Sequence, residues 1–186
     1  MRIILASASP RRKIILEEFG YDVVVMPSDY EEKINNQVYS DFRVENCAYK
    51  KALDVANSFD SADLVVAADT VVVFGGKIIG KPKDKEDAIN MLMKLSGKIH
   101  FVATAICIIY KGQVLKRVEK THITFKRLSK MEITEYVEKM MPLDKAGSYG
   151  IQDEGFNFVR DIRGELDNVI GFPMKSFKVL LNRVII

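Results

Sequence analysis

Short apolar runs alternate with longer amphipathic stretches along this chain. Apolar runs of the length typical of buried strands occur at residues 3–6, 23–26, 64–74 and 100–110. Residues 114–128 alternate well enough for one or two further strands, and residues 156–162 predict another. Gly75 and Gly76 predict a hairpin that returns through residues 77–79.

Helix signals lie between these strands. Pro10 suits the first position of a helix with Ser9 as its N-cap, and Gly20 suits the end of that helix. Ser129 and Glu132 form the capping-box pattern at the start of another helix. Three further helices are predicted, at residues 40–58, at 84–95 and after Pro173.

Because hairpins are mixed with strand–helix alternation, the sequence predicts an α/β or α+β fold with a mixed sheet, in a single domain over residues 1–186. Hydrophobic residues make up 48% and charged residues 28%, as in ordinary globular domains. No apolar run is long enough to span a membrane, and the first residues lack the long apolar region of a signal peptide. Cys47 and Cys107 lie in apolar surroundings, so we expect two buried free thiols and a cytoplasmic protein.

Charge gives little sign of a nucleic-acid partner. The net charge is only +3, and no basic patch carries interleaved aromatic residues. His100 and His122 belong to no metal-ligand pattern. Any positive charge that matters for function must therefore act locally.

One local concentration of charge is the segment SASPRR at residues 7–12. Arg11 and Arg12 fall in the first turn of a helix, where the helix dipole prefers anions. A bound anion would remove this conflict, since backbone N–H groups, hydroxyls and guanidinium groups would all face it. The alternative is that both arginines point to solvent and Ser9 is only a cap.

Lys51 and Asp69 are charged residues at apolar positions. Lys51 lies near the middle of the apolar stripe of its predicted helix, so it either extends past its neighbours to water or meets an anion such as a phosphate. Asp69 interrupts the apolar run 64–74, where a carboxylate must be ion-paired, metal-bound or at an open strand edge. Glu31 and Glu32 could join it around a hard divalent cation, and Lys81 is a further candidate phosphate contact.

The segment at residues 144–155 is punctuated by glycines. Gly147 and Gly150 would let the backbone approach a ligand closely. Gln152 carries both a donor and an acceptor, which is what recognition of a base edge requires. A purely structural turn is the alternative.

Taken together, the chain resembles the Maf family of nucleotide pyrophosphatases. The matching segments span nearly the whole chain in the family's order: LASASPRRKIIL, SDYEEKI, AYKKA, AADTVVVFGGKIIGKP, MLMKLSGKIHFVATAI, YVEKMMPLDKAGSYGIQ and NVIGFP. The resemblance implies a long, mixed, twisted sheet with flanking helices in two lobes around a nucleotide cleft, as in inosine triphosphatase-like folds. It also implies a homodimer and hydrolysis between the α and β phosphates with Mg²⁺ or Mn²⁺.

The resemblance also implies roles for individual residues. Asp69 would be the catalytic carboxylate, and Glu32, with Glu31 as the alternative register, would share a metal ion with it. Substrate phosphates would be bound by Ser7, Arg11, Arg12, Lys51 and Lys81, and base choice would depend on Arg11, Thr70 and Gln152. The SPRR and GIQ forms resemble the branch that acts on dTTP and UTP. Two departures stand out, Asp153 in place of the family's usual glycine and Phe172 in place of its leucine.

A rival hypothesis is a non-catalytic, nucleotide-binding regulator of cell division, since the family has been associated with septum formation. Retention of Asp69, Lys51 and Lys81 favours an enzyme. Ser7 and Ser9 have no recognisable partner base in the sequence, so a covalent intermediate is not expected.

Overall fold

A computed structural model of the chain describes residues 2–31, 34–60 and 63–185. Within those residues there are seven strands: β1 (Arg2–Leu5), β2 (Asp22–Val25), β3 (Val65–Phe74), β4 (Lys77–Ile79), β5 (Ile99–Tyr110), β6 (Gln113–Phe125) and β7 (Val159–Arg163). The helices are α1 (Pro10–Glu18), α2 (Asp41–Ala56), α3 (Lys85–Leu95), α4 (Lys130–Met140), α5 (Leu166–Ile170) and α6 (Met174–Ile185). Two short 3₁₀ turns follow α4, at Pro142–Asp144 and Ala146–Ser148.

All seven strands belong to one mixed sheet. The order is β2-β1-β3-β5-β6-β7, with β4 paired beside β3. The strand β1 runs parallel to β2 and β3, whereas β4, β5, β6 and β7 form antiparallel pairs. The predicted α/β class with a mixed sheet and flanking helices is therefore confirmed.

Three apolar clusters hold helices on the two faces of the sheet. On one face, α1 and α6 pack over β1 and the first half of β3, and α3 and α4 pack over the far ends of β3 and β5. The opposite face is covered by α2. Phe172 is fully buried and its ring centroid lies 5.3 Å from that of Phe177, so this residue belongs to the hydrophobic core.

Most local signals lie where the sequence placed them. The Ser129–Glu132 capping box is present, and Ser40 and Asp84 cap α2 and α3 through their side chains. Ser9 occupies the N-cap position of α1, but its side chain makes no capping hydrogen bond. Both cysteines are buried free thiols, and burial raises the pKa of Cys107 to about 12.

Near the C-terminus the predicted elements needed correction. The last strand begins at Val159, three residues later than position 156. Residues 114–128, expected to form one or two strands, contribute one, β6. The five-residue helix α5 was not predicted from the sequence. Asn168 anchors it, donating to the Val102 carbonyl (3.1 Å) and to Thr121 Oγ1 (3.0 Å), and neither contact is local in the sequence. None of the helices in the described ranges is long and apolar enough to cross a membrane.

Strand β3 is paired on both edges over only part of its length. Along one edge, β5 accompanies it over residues 65–73. Along the other, β1 pairs with it only as far as Val66, and β4 begins at Val72. Among the described residues, no strand therefore lies beside 67–71 on that edge, and Asp69 and Thr70 fall within this open stretch.

Side-chain alternation sends these two residues to opposite faces. Thr70 lies between Ala68 of one apolar cluster and Val72 of the next, so a polar strip separates two apolar lobes on that face. Asp69 points to the face covered by α2. Because this edge of β3 is open, one cleft can contain both Thr70 from one face of the sheet and Asp69 from the other.

Candidate active site

A cleft of about 640 Å³ lies over the open edge of β3. Its walls come from the first turn of α1, the loop before α2, the middle of β3, the loop after β4, the turns after α4 and the end of α5. This volume falls within the range of small-molecule sites, which is roughly 300–1,000 Å³.

The cleft brings together most of the residues singled out in the sequence. Six of them line it: Arg11, Arg12, Asp69, Thr70, Lys81 and Gln152. Ser7 and Lys51 lie directly behind the wall, in contact with Arg12 and Asp69 respectively. Glu31 also lines the cleft, whereas Glu32 lies outside the described residues.

Asp69 and Lys51 form a buried ion pair. Lys51 Nζ donates to Asp69 Oδ1 at 2.6 Å, and their side chains are 10% and 1% exposed. The apolar stripe of α2 carries Lys51 to the sheet face to which alternation along β3 directs Asp69. Lys51 therefore meets a carboxylate and does not extend past its neighbours into bulk water. Its contact with a phosphate stays a prediction.

Three acceptors among the described residues hold Arg12 in place. Its Nε donates to the Gly171 carbonyl (3.0 Å), and its two Nη atoms donate to Ser7 Oγ (2.9 Å) and Thr70 Oγ1 (3.0 Å). Thr70 in turn shares a hydrogen bond of 3.0 Å with Thr104. These contacts fix the guanidinium group at the floor of the cleft, where it supplies a positioned positive charge.

Arg11 makes a more exposed contact on the opposite wall. Its Nη1 lies 3.2 Å from Asp144 Oδ2, with side-chain exposures of 37% and 60%. Asp144 also accepts from Lys145 Nζ at 2.9 Å. Partial burial opposes ionisation of Asp144, but the hydrogen bond and charge of Lys145, together with Arg11, lower its pKa overall.

Lys145 is a cleft residue that was not predicted from the sequence. Its side chain is only 16% exposed and lines the cleft with Arg11 and Lys81. The available signal was its place in the same glycine-punctuated segment as Gln152. The prediction for that segment rested on its glycines and on the Gln152 amide, and it assigned no role to the adjacent charged residues Asp144 and Lys145.

The glycines of this segment approach protein groups closely. Gly147 has φ 69°, and a Cβ there would lie 2.9 Å from Val72 Cγ2. Its N–H donates to the Gly80 carbonyl (3.0 Å), which joins the segment to the loop that carries Lys81. A Cβ at Gly150 would lie 2.6–2.7 Å from the carboxylate of Asp153. These close contacts with protein groups match the structural turn that was one of the two interpretations of the segment, and approach of its backbone to a ligand stays a prediction.

Tyr149 lines the cleft and forms a buried pair with His100, which lies behind it. Tyr149 OH and His100 Nε2 share a hydrogen bond of 2.8 Å. Burial lowers the pKa of His100 to about 4, so the ring is neutral near pH 7.

Carboxylates in the cleft match the chemistry of a hard divalent cation. Within the described residues, no three His, Cys, Asp or Glu side chains are grouped so as to hold a metal by themselves. Asp69 and Glu31 both line the cleft, however, and Mg²⁺ is commonly held by one or two carboxylates together with substrate phosphates. The residues present therefore fit such an ion.

The fold and the site together define an α/β protein with a cleft suited to phosphorylated ligands, because fixed cations surround a buried carboxylate. The chain belongs to the Maf family: the family model described as Maf-like protein matches residues 2–184.

Curated relatives share this sequence over almost its full length. A protein named dTTP/UTP pyrophosphatase from Alkaliphilus oremlandii is 44% identical over 183 residues, covering 97% of this chain and 94% of that protein. Proteins of the same name from Pyrococcus abyssi and Aquifex aeolicus are 47% and 43% identical, covering 93% and 97% of this chain and 91% and 94% of theirs. A crystal structure described as a nucleoside-triphosphatase / dITP/XTP pyrophosphatase from Mycobacterium abscessus covers 99% of this chain and 95% of its own. Its identity is 15% and its TM-score 0.48, too low to add to the argument.

Proposed function

We propose that this protein hydrolyses nucleoside triphosphates, preferentially dTTP and UTP, to the nucleoside monophosphate and pyrophosphate. The observation that carries the proposal is the buried carboxylate of Asp69 at an open strand edge, inside a cleft lined by Arg11, Lys81 and Lys145. The names of the curated relatives point to the same reaction and the same bases.

In this mechanism Asp69 orients a water molecule and accepts its proton as the water attacks the α-phosphorus. Lys51 holds the carboxylate in place through the contact of 2.6 Å. Arg11, Arg12 and Lys81 offset the negative charge of the triphosphate and of the leaving pyrophosphate. A divalent cation, Mg²⁺ or Mn²⁺, would be held by Asp69 with Glu32 or Glu31, and would supply further charge stabilisation.

Base choice depends on Gln152 in the proposed function. Uracil and thymine present an N3–H donor beside an O4 acceptor, and one glutamine amide matches both. Gln152 is exposed and lines the cleft, as this role requires. Arg11 and Thr70 are the other proposed specificity positions. A cytoplasmic homodimer, implied by the resemblance, completes the proposal.

Turnover of a nucleotide panel tests the function. We expect dTTP and UTP to give the highest kcat/KM, CTP a lower value and dGTP and 7-methyl-GTP the lowest. Pyrophosphate should be the first phosphorus product, detected as orthophosphate only when inorganic pyrophosphatase is added. Replacing Gln152 by alanine should reduce the preference, because an unmatched base edge costs about 1–3 kcal/mol.

Three results would count against this function. Direct release of orthophosphate would exclude cleavage between the α and β phosphates. A purine preference, or an unchanged ranking in Gln152→Ala, would exclude Gln152 as the base reader. Tight nucleotide binding without turnover would favour the regulator hypothesis.

Lys81 offers a second test, directed at the phosphates. It lies in the loop after β4, which is held by Gly147 N–H to the Gly80 carbonyl (3.0 Å) and by Gly80 N–H to Asn35 Oδ1 (2.9 Å). Lys81→Ala should lower kcat/KM for dTTP. The expected loss of transition-state stabilisation is that of one charge-assisted hydrogen bond, about 1.5–3 kcal/mol. Lys83→Ala is the matched control, because Lys83 is exposed and lies outside the cleft lining. Equal kcat/KM values for the two variants would remove Lys81 from the phosphate site.

A further inference from the structure

Three residues tie the Gln152 loop to helix α4. The Tyr136 hydroxyl donates to Asp153 Oδ2 at 2.5 Å and accepts from the Gly150 N–H at 2.9 Å. The same N–H also lies 3.2 Å from Asp153 Oδ2. We call Tyr136, Gly150 and Asp153 the tyrosine latch. Its hydrogen bonds connect Gly150 and Asp153, which flank Ile151 and Gln152, to each other and to Tyr136.

The helix side of the latch is firmly anchored. Tyr136 is 1% exposed and packs edge-on against Phe156 and Phe158, with ring centroids 5.0 and 4.8 Å away. Burial, and then the hydrogen bond to Asp153, raise the pKa of the hydroxyl well above its usual range. The phenol is protonated near neutral pH, as an ordinary tyrosine is, and its hydroxyl donates to Asp153.

In the loop, the direction of the Gln152 side chain depends on the conformation of the backbone that carries it. The carboxylate of Asp153 lies so close to Gly150 that a Cβ there would meet it at 2.6–2.7 Å. Gln152 is exposed on the cleft wall, and none of the side-chain hydrogen bonds found in the described parts of the chain involves its amide. The backbone of residues 150–153 therefore determines which positions in the cleft the Gln152 amide can reach, and the tyrosine latch holds that backbone in place.

We infer that the tyrosine latch positions Gln152 and so determines how sharply the cleft discriminates between bases. This inference rests on the proposed function and adds Tyr136 and Asp153 to it as positioning residues. Asp153 also lines the cleft, so a direct effect of its charge on the base is the competing role. The latch needs Asp153 only as a hydrogen-bond acceptor, whereas the competing role needs its negative charge.

The deciding experiment compares Tyr136→Phe, Asp153→Ala and Asp153→Asn. Tyr136→Phe keeps the packed ring and removes only the hydroxyl. We expect Tyr136→Phe and Asp153→Ala to raise KM for dTTP and UTP about three- to tenfold, because a displaced Gln152 loses hydrogen bonding to the base, and to narrow discrimination against CTP and dGTP. The kcat should stay within about twofold, because Asp69 and the phosphate cations are untouched.

Asp153→Asn should restore the wild-type ranking, since its amide oxygen can accept from both Tyr136 and Gly150. If Asp153→Asn behaves like Asp153→Ala while Tyr136→Phe keeps the wild-type ranking, charge and not the latch acts on the base, and the inference is overturned. An unchanged ranking in Tyr136→Phe overturns it as well. If Asp153→Ala does not fold, the other two variants decide alone.

A matched control separates positioning from general destabilisation. Ser96 Oγ accepts from the Leu128 N–H (2.8 Å) and donates to the Leu128 carbonyl (3.2 Å), so it ties two segments together away from the cleft. Ser96→Ala should lower the melting temperature without changing base ranking. Equilibrium binding of nonhydrolysable α,β-methylene analogues of dTTP and CTP gives a second readout. If wild-type protein shows no turnover, the proposed function fails, and the binding ranks of the variants still decide the role of the latch.

Discussion

Replacing Asp69 by asparagine is expected to reduce kcat for dTTP about 10²- to 10⁴-fold, the contribution typical of a positioned general base. The amide keeps the shape of the side chain and can still accept from Lys51, but it cannot take a proton or offer a negative charge. Stopped-time assays of pyrophosphate formation at saturating Mg²⁺ and nucleotide measure the effect. Circular dichroism should show that the fold is retained.

The comparison for this variant is Asp161→Asn. Asp161 is a carboxylate on β7 whose side chain is 46% exposed and paired with Arg163, so the same chemical change there should leave kcat near wild type. If Asp69→Asn keeps most of its kcat, the assigned chemistry must lie elsewhere in the cleft.

Of the single substitutions proposed here, Lys51→Met should lower the free energy of unfolding the most. Methionine has similar length and fills the same space in the apolar stripe of α2, but it removes the ammonium group that pairs with the carboxylate of Asp69, which is 1% exposed. Removing one partner of a buried ion pair typically costs about 3–5 kcal/mol of unfolding free energy. Urea titrations of wild type and variant give this difference directly, and kcat should fall as well because Lys51 holds Asp69.

Two further variants isolate the buried pair. Lys139 pairs with Glu135 on the surface, with exposures of 62% and 52%, so Lys139→Met should cost under about 0.5 kcal/mol. The double variant Lys51→Met/Asp69→Asn should be more stable than the sum of the two single changes predicts, because no uncompensated charge remains buried. Additive losses would show that the two side chains do not stabilise each other.

Local signals in the sequence were enough to define most secondary structure. The helix caps at Ser40, Asp84 and Ser129 depend on residues three positions away, and strand β3 depends on its own apolar run. The same kind of signal exposed Asp69 and Lys51, since each is a charge at an apolar position. Resemblance to a family then supplied the expected roles, which still await the experiments above.

The short helix α5 and the start of β7 escaped prediction for a common reason. Their positions depend on hydrogen bonds and pairing with β5 and β6, which lie far away in the sequence. Nothing within five residues of Asn168 reveals that its amide will be buried against Val102 and Thr121. Lys145 and Tyr136 were not predicted as site residues for the same reason, because their roles depend on contacts formed only in the folded structure.

The sequence by itself determined which segments form strands and helices, and which charged residues had to find a partner, because those properties follow from neighbours along the chain. Only the tertiary structure decided where the cleft lies. Pairing of β1 with β3 ends at Val66 and pairing of β4 with β3 begins at Val72, so the gap depends on how far each neighbouring strand extends along β3. The contact between Arg11 and Asp144 joins residues 133 positions apart, and the pairing of Asp69 with Lys51 joins β3 to α2. Such contacts depend on how the elements pack, which no local pattern of residues encodes.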